Sequence, residues 1–518
     1  MEVFDIFAQI NQVPRPSKHE EKMCAWLIRF AEEHHLDYEF LPIAEGAKVG
    51  NIVMRKPATP GYENHPGVIL QGHIDMVCEK NNDTEHDFFT DPIQTYIEDG
   101  WMHAKGTTLG ADDGIGVAMA LAVLTSNDAK HPALECLFTV DEETGLTGAD
   151  CMPAGKLNGT RLINLDNEDD GQICMGCAGG VGTLGRFRYE EEAAPKDYFA
   201  AELKIGGLIG GHSGEDIHKG RGNANKLLVR FLYNEMHQTD LRIAKIDGGN
   251  LRNAIAREAS ATILVPMSFK EQLRIDLNHY IAEVENELKG VENDLRIDLS
   301  SASKNSSPKI GWKSQSVFGS EKGRLAGSQA DRDSGQRPEG YNVLPHSMAS
   351  RLIQSLYACP HGVYAMSRDI IGLVQTSTNL ASIKMREDEQ GKFIEVNTSQ
   401  RSSIESEKHS LKEIVACALR LGGAEIEHTE GYPGWQPNPS SELLKIAVKA
   451  WQENEGKDPQ VVAIHAGLEC GLFLEKYPSL DMISFGPWMT GVHSPAEKLN
   501  IESTHRTYRW LRHTLELL

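Results

Sequence analysis

The sequence holds no apolar run near the roughly eighteen residues that a membrane-spanning helix needs. It also lacks the basic n-region and apolar core of a secretory signal, because Met1-Glu2-Val3-Phe4-Asp5 runs directly into charged amphipathic sequence. Positive charge is scarce: 52 Lys and Arg stand against 74 Asp and Glu, a formal charge of −22. That excess of carboxylates repels phosphate backbones and anionic lipid, which argues against nucleic acid and membrane as partners. Cysteine is sparse as well, with nine residues, an odd number, and no dense framework in 518 residues. This usage suits a reducing compartment, and a cytoplasmic location is expected. Cys174-Met175-Gly176-Cys177 is a lone pair without a second, so neither a structural zinc nor a redox centre is assigned to it.

What the chain does have is length for two or more domains and a series of apolar strands that end in histidine or acid. Val68-Ile69-Leu70-Gln71-Gly72-His73-Ile74-Asp75-Met76-Val77 reads as a buried strand, and strand alternation sets His73 and Asp75 on one face. Two readings are open there: a core histidine bonded to an acid, or a metal-binding imidazole held by a carboxylate. Residues 106–116, with Asp112 and Asp113, open into an almost wholly apolar helix over 117–124. Such a helix must be buried, with the aspartates at its N-terminus, where one of the two is expected to be a plain cap. Gly114-Ile115-Gly116 partly matches a dinucleotide fingerprint, but the sixth position is Met119 and no clear apolar strand leads into it. The 134–140 strand ends in Asp141-Glu142-Glu143-Thr144-Gly145, and the 162–165 strand ends in Asp166.

In an open α/β sheet the carboxyl ends of the strands share one edge, so His73, Asp75, Asp112, Glu142, Glu143 and Asp166 can converge. So many carboxylates in one crevice repel one another unless a cation joins them. A divalent metal is the economical explanation, and mixed N/O ligation points to zinc, with manganese or cobalt as alternatives.

Around Asp197 the character changes. A strand over 199–205 precedes the glycine-rich loop 206–214 with His212 near its tip, where glycines admit close approach of backbone to ligand. Helices over 225–237, 352–357 and 411–421, with strands over 259–265, 380–385, 393–401 and 424–428, predict an α+β insert of two similar lobes. Residues 300–341, rich in Ser, Gly, Lys, Asp and Arg, read as a long surface loop without assigned function, and 81–99 as a polar loop after the first strand. The Pro/Gly-dense segment 430–439 marks the return to the first domain. There a strand over 460–464 ends in His465, and one over 480–485 leads to a loop with His493 and Glu497. Periodicity alone favours His465 over His493 as a further ligand.

The ordered set of His73-x-Asp75-x-Val77, Asp112, Glu142-Glu143, Asp166, the Gly-Gly-His212 loop and the His493 segment resembles the dinuclear zinc peptidase family that includes carnosinases and bacterial dipeptidases. Longer strings, such as Gly176-Cys-Ala-Gly-Gly180, Gly222-Asn-Ala-Asn-Lys-Leu-Leu228, Tyr432-Pro-Gly-Trp-Gln-Pro437 and His465-Ala-Gly-Leu-Glu-Cys-Gly471, are similar to the aminoacyl-histidine dipeptidases within it. The resemblance implies a mixed-sheet α/β catalytic domain, residues 1–190 and 431–518, with an inserted α+β lid domain over 191–430. It implies two divalent ions, with His73 and Asp166 on one, Glu143 and His493 on the other, and Asp112 bridging both. Glu142 becomes the general base acting on a zinc-bridged hydroxide, and Asp75 orients His73. His212 becomes the oxyanion donor, Arg401 a fork for the substrate carboxylate, Asn253 a lid contact and His465 a pocket residue. Ala256 stands where the family has proline, which changes the loop after Asn253. The implied activity is hydrolysis of Xaa-His dipeptides by a homodimeric enzyme. The rivals are a related deacylase or tripeptidase, a metal-free binding protein on the same fold, and a nicotinamide-dependent dehydrogenase.

Overall fold

Consecutive apolar residues in a short strand imply cover on both faces. In the computed structural model, which describes residues 2–302, 340–368 and 370–518, the strand Val68–His73 has no exposed residue. It lies inside an eight-stranded sheet. From edge to edge the strands are Asp37–Pro42, Gly50–Lys56, Leu134–Thr139, Val68–His73, Arg161–Asn164, Asp481–Ser484, Gln172–Cys177 and Gln460–Ile464. The four from Leu134–Thr139 to Asp481–Ser484 are mutually parallel, and the outer pairs Asp37–Pro42/Gly50–Lys56 and Gly50–Lys56/Leu134–Thr139 are antiparallel. The parallel register sets Val68 level with Leu134 and Arg161, so the strands end together at one edge.

The helix Ala111–Thr125 is apolar all round because it is buried all round. Every residue from Ala111 to Leu124 is buried, and the helix packs between the N-terminal helix Val3–Ile10 and the strand Val68–His73. Helices Glu21–Glu33, Glu442–Glu455 and Ile501–Leu517 contribute one apolar face each to the same core.

A second, nine-stranded sheet has its own core. Its path runs Arg296–Ser301, Tyr198–Gly206, Ala259–Pro266, Arg242–Gly248, Val374–Asp388, Gly391–Ser402, Gly179–Arg188, Glu425–His428, and Gly362–Met366 pairs with Val374–Asp388. Arg242–Gly248 meets Val374–Asp388 at the pair Gly248 and Ile383, so the strands expected in two lobes lie in one sheet over one core. Helices Ala224–Gln238, Lys270–Glu287, His346–Ala358 and Glu405–Leu421 cover it. Gly179–Arg188 already belongs to this sheet, so the division expected at residue 190 falls one strand too late. The reason lies in local sequence: Gly179-Gly180-Val181-Gly182 carries no apolar alternation, and it is a strand because Gly391–Ser402 pairs along its whole length.

Two other expectations are corrected. The polar stretch 81–99 is not loop throughout, since Thr95–Glu98 pairs with Trp101–Ala104 as a hairpin whose outer strand is wholly exposed. The strand at 68 stops at His73 rather than continuing to Met76. Most of the 300–341 segment lies outside the described residues. Among those described, no helix is long and apolar enough to cross a membrane.

Candidate active site

Three of the parallel strands deliver acids and a histidine to one edge. His73 ends its strand, Asp141, Glu142 and Glu143 follow Leu134–Thr139, and Asp166 follows Arg161–Asn164. Asp112 comes from the start of the buried helix, where its peptide with Asp113 is cis. One oxygen of Asp112 lies 2.9 Å from Nε2 of His73, and the other lies 3.1 Å from Nε2 of His493. The same His493 nitrogen is 3.0 Å from Glu143, and Nε2 of His73 is 3.8 Å from Asp166. Among the described residues four groups of potential ligand atoms lie within 4.8 Å of one another, His73/Glu142/Glu143, Glu20/Asp75/Asp141, and the two that matter here, His73/Asp112/Asp166 and Asp112/Glu143/His493. These last two share Asp112.

Crowded carboxylates change their own acidity. Burial pushes the Asp166 carboxyl well above the ordinary range, and Asp112 adds to the push while His73 opposes it. Burial does the same to Glu142, against the pull of His73 and with help from Glu469, Glu143 and Asp112. Hydrogen bonds that its ring donates to Asp112 and Glu143 push the His493 imidazole up to about 11, so a proton on that ring offsets part of the negative charge.

Asp75, 0 % exposed, places one oxygen 3.3 Å from Nδ1 of His73. Its carboxylate also accepts the backbone N–H groups of Glu142 (3.0 Å) and Glu143 (3.3 Å), so it holds the acidic turn as well as the imidazole. Asp141 takes a left-handed conformation (φ 50°) at the start of that turn, and its N–H donates to Glu20 at 3.1 Å.

Three residues, Arg15, Glu20 and Glu469, have no role assigned from sequence, and Glu497 stands there only as an acid on the His493 loop. Arg15 and Glu497 brace the turn before Asp112, Glu20 holds Asp141, and Glu469 lies buried under the site. Glu469 accepts from Gln71 (2.6 Å) and Thr139 (2.8 Å), while Asn164 donates to Gln71 (2.6 Å) and Ser484 donates to Asn164 (2.5 Å). This chain of bonds crosses all four parallel strands just below their ends. Burial pushes its terminal carboxyl, Glu469, up to about 7. Gln71 and Asn164 each sit two residues before a predicted ligand on the same strand face, which is the signal that could have found them.

The glycines of the Asp112 segment have a steric reason. A Cβ on Gly116 or Gly72 would stand about 2 Å from the buried Asp113 carboxylate, at 2.1 and 2.2 Å, and one on Gly114 would stand 2.7 Å from Arg15. The N–H groups before the helix are already taken by Glu497. The partial dinucleotide pattern is therefore spent on packing, and no phosphate cradle is open there.

On the inserted unit, His212 pairs with Ala254, and its loop is fastened by a bond from Ser213 N–H to the Asn253 carbonyl (2.7 Å). The Asn253 residue itself is exposed. The Glu215 N–H donates to Nδ1 of His212 (3.3 Å), which leaves the ring proton on Nε2, and burial with Arg401 nearby keeps the ring neutral by lowering its pKa. Arg401, largely buried, donates to the Tyr432 hydroxyl (2.9 Å) and sets its second Nη 3.5 Å from Nε2 of His212. The His212 ring and the Arg401 guanidinium thus stand side by side. His465 lies on this side too: its Nε2 is 2.7 Å from the Ser377 hydroxyl of the inserted unit, and burial lowers its pKa to about 3. It is not among the acids, whereas His493 is, so the periodicity argument for His465 as a ligand is not supported by its surroundings.

The family model described as Peptidase family M20/M25/M40 matches residues 69–517. The chain belongs to this family. It is 40% identical over 514 residues to the cytosol non-specific dipeptidase of Escherichia coli (strain K12), covering 99% of this chain and 97% of that one. The crystal structure of aminoacylhistidine dipeptidase from Vibrio alginolyticus superposes with a TM-score of 0.85 at 39% identity, covering 99% of this chain and 96% of the other. An aminopeptidase of Bacillus cereus shares the fold at a TM-score of 0.57 and 14% identity, covering 99% and 97%. The family's chemistry is peptide hydrolysis, and the mixed α/β architecture described above is the family's fold.

Proposed function

We propose that this chain is a dinuclear metallo-dipeptidase that cleaves Xaa-His dipeptides such as β-Ala-His. The observation that carries the reading is the pair of three-residue groups joined at Asp112. Their donors, two imidazoles and three carboxylates, suit zinc, with cobalt or manganese as alternatives. His73 and Asp166 would hold one ion, Glu143 and His493 the other, and Asp112 both. Such ions supply Lewis acidity that polarises the scissile carbonyl and acidifies water.

The chain's own groups do the rest. Glu142, with its affinity for a proton raised by burial, takes the proton of the attacking water and returns it to the leaving amine. Asp75, its carboxylate 3.3 Å from Nδ1 of His73, favours the tautomer with the proton on that nitrogen and leaves Nε2 toward Asp112 and Asp166. His212 donates its Nε2 proton to the oxyanion. Arg401, whose Nη stands beside that ring, receives the substrate's terminal carboxylate as a fork. The inserted unit acts as the lid that brings these donors, with Asn253 beside them. His465 shapes the pocket wall through its bond to Ser377.

The preference for Xaa-His rests on the aminoacylhistidine dipeptidase relative, and the name of the E. coli relative points to a broad range of dipeptides. A cytosolic homodimer is the expected form of the enzyme. The test compares β-Ala-His, an N-acetyl amino acid and a tripeptide as substrates, with metal quantified alongside. Cleavage of the dipeptide by protein carrying two ions is expected; turnover of the N-acetyl substrate alone would make it a deacylase. In Glu142→Ala the metal content should stay at the wild-type level while turnover drops by about 10² to 10⁴. Unchanged turnover would remove Glu142 from the mechanism.

A further inference from the structure

The turn that carries Asp112 is gripped from two sides by buried charges of opposite sign. Glu497, 3 % exposed, accepts the N–H groups of Leu109 (2.7 Å), Gly110 (3.2 Å) and Ala111 (2.8 Å). Arg15, 1 % exposed, donates to the carbonyls of Gly110 (2.6 Å), Asp75 (3.1 Å) and Ile74 (3.3 Å). A Cβ on Gly110 would stand 2.5 Å from the guanidinium, so the turn and the arginine are fitted to each other. Glu497 ends the loop that bears His493, and its own N–H bonds to the Ser494 carbonyl (3.0 Å).

These bonds join three segments remote in sequence: the one with His73 and Asp75, the one with Asp112, and the one with His493. A helix N-terminus needs only a local acceptor. Here the acceptor arrives from the His493 loop, and an arginine ties the same turn to the His73 segment. A shift of either group therefore displaces Asp112 relative to its two imidazole neighbours.

We propose that Arg15 and Glu497 are positioning residues for the metal centre, fixing the Asp112 carboxylate between His73 and His493. The inference rests on the ligand assignment of the preceding section. Glu497→Gln replaces one acceptor with an N–H₂ group that opposes the N–H donors of the turn, and Arg15→Lys loses the forked reach to three carbonyls.

The full-length variants E497Q and R15K, with D112N as a control, are stripped of metal and titrated with Zn²⁺ against a chromophoric chelator. Zinc affinity should fall about 10- to 100-fold in E497Q and less in R15K, the usual cost of losing an outer-sphere partner. At saturating zinc, kcat should fall while KM stays near the wild-type value, and the far-ultraviolet circular dichroism of the metal-free proteins should match wild type. Wild-type zinc affinity in a folded E497Q or R15K overturns the proposal. Failure of both variants to fold assigns the pair to the fold alone and overturns it too. D112N separates the two ideas: if it binds two zinc ions as wild type does, the ligand assignment falls and this inference with it. If D112N loses zinc while E497Q keeps it, only this inference falls.

Discussion

Asp112 offers its two oxygens to two different imidazoles, and that single carboxylate gives the site its two-part character. At the scale of residues the sequence carried most of the candidate site, because every predicted ligand except the loop residue His493 stands at a strand end or helix start, where side-chain type is unusual for its position. His73, Asp112, Glu143, Asp166 and His493 come together within hydrogen-bonding or near-contact distances. What stayed hidden were partners whose role is defined only by where the backbone turns. Arg15 looks like an ordinary charge after Pro14, yet it is fully enclosed. Periodicity favours His465, which follows the strand Gln460–Ile464 directly, over His493, which lies on a loop, and only the surroundings of each ring separate them. On the inserted unit, His212→Ala should lower kcat by about 10² to 10³ if its Nε2 proton meets the oxyanion, with KM less affected. Steady-state kinetics on a dipeptide reads this directly, and an unchanged kcat would take His212 out of the reaction.

At the scale of elements, strong patterns were legible and sparse ones were not. The all-apolar helix and the parallel strands declare themselves because burial on every side demands apolar residues at every position. Lys270–Glu287 was missed. Its buried positions, Leu273, Leu277, Tyr280 and Val284, form a stripe one residue wide on an otherwise charged helix. The hairpin at Thr95–Glu98 was missed for the opposite reason, since a wholly exposed strand has no face to reveal it. Glycine in a helix interior ordinarily costs about 1 kcal/mol against alanine, so Gly116→Ala would be expected to stabilise Ala111–Thr125. The Asp113 carboxylate 2.1 Å from the new Cβ reverses the sign. We expect G116A to lower stability by about 1 to 3 kcal/mol, the range for overpacked cores, read as a lower thermal midpoint. A raised midpoint would show that Asp113 can move aside.

At the scale of the molecule, the two-part architecture followed from the change of composition after the first site strands, while its boundary did not. A strand of glycines becomes a strand only through its neighbours. The two units meet at His465 and Ser377, and that contact is sensitive to acid. Burial lowers the folded-state pKa of His465 to about 3 from the ordinary 6.5, so the unfolded chain binds the extra proton between those limits. Stability from this source is whole above pH 6.5 and is lost as pH falls toward 3. At pH 5 the deficit amounts to about 2 kcal/mol, from 1.36 kcal/mol per pH unit. Denaturation midpoints at pH 7.5 and 5.0 should therefore differ less in His465→Gln than in wild type; equal slopes would move the acid sensitivity elsewhere.

The strand Asp481–Ser484 lies in the middle of the first sheet, between Arg161–Asn164 and Gln172–Cys177. A ribosome making this chain in order finishes the whole inserted unit before that strand exists. Until then the nascent first sheet has a gap at its centre and two unpaired strand flanks, and His493 has yet to emerge. Closure of the first sheet therefore follows synthesis of the inserted unit, and a chain stopped short of residue 481 leaves Arg161–Asn164 and Gln172–Cys177 without the strand that lies between them.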